Sequence, residues 1–143
     1  MNVLIVYAHP EPRSLNGAIR DFCVERLRRA GHDVRVSDLY AMHWKASVDA
    51  ADFPDRNTNE PLNVSAASKH AYETATQTAE VAAEQKKLLQ ADTLILQFPL
   101  WWFSMPAILK PETCSGVGTL RRGRASLALR HGRIRKPWNM AAA

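Results

Sequence analysis

The chain has 143 residues, a hydrophobic fraction of 46% and a formal net charge of +5. That length holds one domain with a real core, and that composition excludes wholesale disorder. No apolar run reaches the roughly 18 residues of a membrane span. The charge excess sits at one end: residues 1–110 carry 12 Lys+Arg against 13 Asp+Glu, whereas residues 111–143 carry 7 against 1. This break sets a boundary at Lys110/Pro111, with residues 111–143 expected to form a separate, poorly ordered basic tail. Met1 to Pro10 has neither a basic leader nor a small-residue cleavage site, and Cys23 and Cys114 show no paired spacing. The expected setting is the cytoplasm, with free thiols.

Val3–Tyr7 is a continuous apolar run, as in a parallel strand covered on both faces. Pro10 and Pro12 bar regular structure from the loop that follows, and Ser14 is a good helix N-cap. Leu15, Ala18, Ile19, Phe22, Cys23, Leu27 and Ala30 recur at helical spacing and predict the buried face of a helix. Gly31 stands where a left-handed C-cap is expected. His32–Leu39 alternates polar and apolar residues and predicts an edge strand. Strand, helix and strand make a βαβ unit with a right-handed crossover and parallel strands.

Residues 40–64 are rich in turn formers (Pro54, Asp55, Asn57, Asn59, Pro61, Asn63) and predict a surface excursion. Residues 65–90 are rich in helix formers and predict one helix, interrupted around Thr74–Thr78 by the threonines. Its apolar stripe is Val81, Ala82, Gln85, Leu88 and Leu89. Thr93–Phe98 predicts the third strand, stopped by Pro99, which cannot donate to a sheet ladder. Ser104 and Pro106 read as a helix start.

Two loops carry the chemistry. The first, His9 to Ser14, ends at a helix N-terminus, where free N–H groups favour a phosphate. Ser14, Asn16, His9 and Arg13 add hydrogen-bonding or positive character; the alternative is an ordinary capped helix with a surface histidine. The second loop holds Trp101, Trp102 and Phe103. They either plug a core or wall a site for a flat conjugated ligand, and three consecutive residues cannot all point inward. In strand order 2-1-3 the two loops are neighbours at the carboxyl edge of the sheet. A phosphate grip beside an aromatic wall describes a nucleotide or flavin site.

Other motifs are poor. Gly116-Val117-Gly118 has Arg121 in place of the third dinucleotide-binding glycine. The histidines lack metal-ligand spacing, and no metal is expected. The arginine-rich tail lacks aromatic interleaving, so no nucleic-acid partner is expected.

Five stretches, Val3–Pro10, Ser14–Ala18, Ser37–Met42, Ala83–Leu88 and Gln97–Lys110, resemble the flavodoxin-like NAD(P)H dehydrogenases (quinone), or quinone reductases. The resemblance implies a flavodoxin-like α/β parallel sheet. It implies two-electron reduction of a quinone by NADH or NADPH through bound flavin, FAD before FMN. By resemblance, His9, Ser14, Leu15, Asn16 and Ala18 hold the phosphate side of the cofactor. Pro99, Leu100, Trp101, Trp102 and Phe103 lie along its ring. A homodimer is implied as well. The rival reading is a flavodoxin-like regulatory subunit, of the potassium-efflux antiporter type, without significant turnover. The resemblance stops at Lys110: where the family continues through a glycine and an aromatic, Pro111 stands here. The expectation is a sheet truncated after its third strand, with Thr93–Phe98 left at an edge and activity impaired, or an inactive truncated product.

Overall fold

The structure, a computed structural model, describes residues 1–109. The proposed boundary at Lys110/Pro111 and the tail lie outside the described residues. Strand β1 (Asn2–Tyr7) is followed by helix α1 (Leu15–Arg29) and strand β2 (Asp33–Asp38). The excursion then carries one 3₁₀ turn, Ala50–Asp52, before helices α2 (Val64–Thr74) and α3 (Ala79–Gln90) and strand β3 (Thr93–Gln97). The sheet order is β2-β1-β3, with both pairings parallel. In register, Tyr7 stands opposite Asp38 on one side and Gln97 on the other. All three strands therefore end together, which brings the loops after β1 and β3 to one edge.

β1 is the centre of the sheet because its side chains are apolar on both faces. Val3 and Ile5 pack with Val34 under Cys23, Val24 and Leu27 of α1. Leu4, Val6 and Ala8 pack on the opposite face with Leu39 and Leu109, and with Trp44, Leu88 and Phe98 around them. α1 ends as the sequence predicts. Gly31 has φ +81, its N–H donates to Arg28 O, and the His32 N–H donates to Leu27 O. This is a Schellman closure, which needs the left-handed residue.

Two expectations are corrected, and a third is made definite. The interruption expected around Thr74–Thr78 divides residues 65–90 into two helices: Ala75 takes φ 56 and ends α2, and α3 starts at Ala79. The buried face of α1 is the predicted one only in part. Cys23 and Leu27 pack inward as expected, joined by Gly17 and Val24, whereas Leu15, Ala18, Ile19, Phe22 and Ala30 are exposed. Helical spacing identifies an apolar stripe but not what it meets, and here α1 carries two. Finally, Ser104 caps no helix: its N–H and C=O pair with those of Trp101, and the first helical residue after it is Leu109. Among the described residues β3 has one partner strand, with Leu94 and Leu96 exposed. No helix among them is long and apolar enough to cross a membrane.

Candidate functional site

The first wall of the site is the turn from β1 into α1. Ser14 is extended (φ −71, ψ 167), and its Oγ accepts from the Gly17 N–H at 3.2 Å. Its carbonyl accepts from Ala18 N at 3.0 Å. Among the described residues this leaves the Leu15 and Asn16 amides unpaired at the helix mouth, where a first turn has no partners of its own. The loop closes down hard on the helix: a Cβ added to Gly17 would stand 1.8 Å from Pro12 O. It would stand 3.3 Å from the Tyr7 hydroxyl, which is fully buried without a hydrogen-bond partner among the described residues. Arg20 roofs the Tyr7 ring at 4.5 Å and pairs with Asp38 at 3.0 Å, so α1 is tied to the ends of β1 and β2.

Glu11 stiffens the loop. Its Oε1 accepts from Arg13 N at 2.9 Å and from Arg13 Nε at 3.2 Å. The Arg13 backbone bond, then its guanidinium, holds the Glu11 carboxyl below the ordinary value of 4.5. A carboxyl depressed on folding stabilises above its unfolded pKa and loses that contribution as pH falls through the folded one. Acid is therefore expected to loosen residues 9–13 before the sheet. An NMR pH titration following Arg13 N–H and the β1 amides checks this, and simultaneous loss of both signals would contradict it. The His9 Nδ1 lies 3.0 Å from both the amide N and the carbonyl O of Glu11. Nδ1 is thereby engaged, and Nε2 has no hydrogen bond among the described residues.

The second wall is the aromatic turn. Trp101 and Ser104 exchange two backbone hydrogen bonds of 3.0 Å. Between them Trp102 and Phe103 have φ of 51 and 58. Positive φ at both central positions defines a type I′ turn, normally filled by Asn and Gly. Bulky residues there cost about 1–2 kcal/mol each. Their side chains recover nothing by burial: Trp102 and Phe103 are 96% and 101% exposed. Strained, exposed aromatics at a strand's carboxyl end point to a ligand rather than a core. Trp102→Asn with Phe103→Gly is expected to stabilise the free chain by about 1–2 kcal/mol and to weaken ligand binding. Urea unfolding with and without ligand checks both signs.

The walls touch. The His9 and Trp101 rings lie 6.0 Å apart, tilted by 56°. Gln97 Nε2 donates to Asn16 Oδ1 at 2.8 Å across the mouth. His9, Ser14, Leu15, Asn16 and Ala18 thus stand on one lip, and Leu100 to Phe103, after Pro99, on the other. Leu15 and Ala18 expose their side chains, so what Leu15 offers the mouth is its backbone amide. Gln97, Gly17 and Arg20 belong to the site framework without having been predicted. The sequence signal for Gln97 was a polar residue ending an apolar strand. A separate concavity of about 350 Å³ lies between the excursion and α2, lined by Phe53, Arg56 and His70. It includes none of the predicted site residues. No group of three His, Cys, Asp or Glu among the described residues is placed to hold a metal ion.

The parallel sheet of order 2-1-3 has the flavodoxin-type arrangement, and the unpaired amides, the glycine-dependent turn and the exposed aromatics at its carboxyl edge are chemically compatible with a phosphate-bearing aromatic group. The chain belongs to the flavodoxin-like fold family, whose model matches residues 1–111. A ribosyldihydronicotinamide dehydrogenase-like protein of Penicillium crustosum is 54% identical over 110 residues, covering 77% of this chain and 41% of that one. The human ribosyldihydronicotinamide dehydrogenase (quinone) is 45% identical over 109 residues, covering 76% and 47%. A Klebsiella pneumoniae crystal structure, whose own quinone-reductase assignment is provisional, superposes with TM-score 0.78 and 55% identity over 81% of this chain and 45% of that one. The chain thus spans less than half the length of these relatives.

Proposed function

We propose that this chain carries the flavin-holding edge of an NAD(P)H:quinone oxidoreductase, which reduces a quinone by two electrons with NADH or NADPH. The observation that carries the reading is the junction of the two lips at His9–Trp101 and Asn16–Gln97. It sets hydrogen-bond donors for a phosphate beside an aromatic surface for a ring. The names of the similar proteins point the same way. FAD is the first choice of cofactor and FMN the second. When bound, the flavin supplies the two-electron redox chemistry. The chain's part is to bind and orient it. The Leu15 and Asn16 amides and the Asn16 carboxamide donate to the phosphate end, His9 presents Nε2, and Pro99 to Phe103 shield one face of the ring from water.

The same proposal includes a second copy as partner, because the outward α1 stripe of Leu15, Ile19 and Phe22 and the exposed Leu94 and Leu96 of β3, which has one partner strand among the described residues, are apolar surface. It places the protein in the cytoplasm and treats residues 111–143 as a basic tail apart from the site. Visible absorption of the purified 143-residue chain after incubation with FAD tests the cofactor. NADPH oxidation with a soluble quinone then tests the activity. Bound flavin with turnover supports the reading. Bound flavin without turnover would favour the regulatory-subunit alternative, and no bound flavin would remove the cofactor proposal.

A further inference from the structure

We infer that Gln97 is a positioning residue that sets the hydrogen-bonding polarity of the ligand mouth by fixing which way round the Asn16 carboxamide sits. The inference rests on the flavin reading above. Gln97 is the last residue of β3, and its place is fixed: it pairs in register with Tyr7, and its carbonyl accepts from Ala8 N at 3.0 Å. Its half-buried side chain crosses the mouth, and Nε2 donates to Asn16 Oδ1 at 2.8 Å. A carboxamide has one acceptor end and one donor end. With Oδ1 held by Gln97, the end left for the mouth is Nδ2, a donor. It joins the unpaired Leu15 and Asn16 amides, so three N–H groups of this lip offer protons to the mouth. A phosphate oxygen, which only accepts, is favoured there. A hydroxyl or amide gains no such preference.

Replacing Gln97 by Glu keeps the side-chain length and reverses the polarity. A carboxylate accepts only, so Asn16 turns its N–H inward and shows Oδ1 to the mouth. The ligand's phosphate then meets an acceptor and a nearby negative charge. Hydrogen bonds to charged groups are the stronger kind, so affinity for a phosphate-bearing ligand should fall about tenfold or more. Gln97→Leu removes the restraint without adding charge, and a loss of about threefold is expected, since Asn16 then samples both orientations.

The test uses FMN and riboflavin, which differ by one phosphate, and measures binding by fluorescence quenching on the 143-residue chain and both variants, with thermal melts alongside. The expected result is a selective fall in FMN affinity, by about tenfold for Gln97→Glu and about threefold for Gln97→Leu, with riboflavin affinity changed less than about twofold. A merely structural role would weaken both flavins alike, and that outcome overturns the inference, as does an unchanged FMN-to-riboflavin ratio in either variant. If Gln97→Glu gives no cooperative melt, the ratio in Gln97→Leu decides. If the unmodified chain binds both flavins while the ratio fails to move, only the Gln97 assignment falls. If it binds neither, the flavin reading falls and takes this inference with it.

Discussion

Gly17→Ala is expected to destabilise the chain by about 3 kcal/mol or more, the upper end of overpacking costs. Two effects compete at this position. Gly17 lies in the first turn of α1, where alanine is the better helix former by about 1 kcal/mol. The added Cβ, however, would stand 1.8 Å from Pro12 O and 2.8 Å from Pro12 C. Both are backbone atoms, and Pro12 is a residue of limited freedom. No side chain can swing aside, so either the loop lifts or α1 moves off Tyr7. Lifting the loop also dissolves the ligand lip, because Ser14 and the free amides move with it. The clash therefore outweighs the propensity gain. Urea unfolding measures the loss, and flavin binding in the surviving folded fraction measures the damage to the lip. Gly31→Ala is the control. It has φ +81 but nothing within 4 Å of an added Cβ, so it should cost only about 1–2 kcal/mol of left-handed strain and leave binding intact. Equal stability of Gly17→Ala and the unmodified chain would show that the loop does not rest on the helix.

The sheet was legible because its information is local. Val3–Tyr7 and Thr93–Phe98 are apolar runs of strand length, and the βαβ rule supplied the parallel direction that the β1–β2 pairing has. The structure ends β3 one residue earlier, at Gln97, and Phe98 turns into the core beside Leu109. The meeting of the two loops followed from strand order alone. What was not legible depends on partners distant in sequence. α1 has two apolar stripes, and only the packing of Cys23, Val24 and Leu27 on Val3 and Ile5 decides which is inside. Ser104 followed by Pro106 looks like a cap, but the backbone of Trp101 claims it first. Gln97 reads as a polar end to a strand until Asn16, 81 positions away, is seen to receive its N–H.

The buried charge on α3 was the least legible feature and has the second large expected effect. The sequence offered Val81, Ala82, Gln85, Leu88 and Leu89 as the packed stripe, yet Glu84 is the residue of α3 that is buried. Its Oε2 accepts from Ser37 Oγ at 2.5 Å, and its Oε1 accepts from Lys87 Nζ at 2.6 Å. Ser37 is fully buried on β2, so this cluster ties α3 to β2. Such a pair is dangerous to break and cheap to replace. Removing one partner of a buried pair costs about 3–5 kcal/mol, because the other charge is left in a poor dielectric. Lys87 keeps 30% of its side chain exposed, so water can partly take its place. We expect Lys87→Met to cost about 2–3 kcal/mol, below that range for this reason. Glu84→Leu alone leaves an exposable ammonium and a Ser37 O–H that has lost its acceptor, though Lys87 Nζ still lies 3.3 Å from the Ser37 oxygen, and should cost about 1–2 kcal/mol. Glu84→Leu with Lys87→Met removes both charges together and should recover most of the stability lost by Lys87→Met. A double-mutant cycle by urea unfolding reads this directly as a favourable coupling between the two positions. Additive losses would mean that the two side chains do not act as a pair, and that α3 is held to β2 by packing alone.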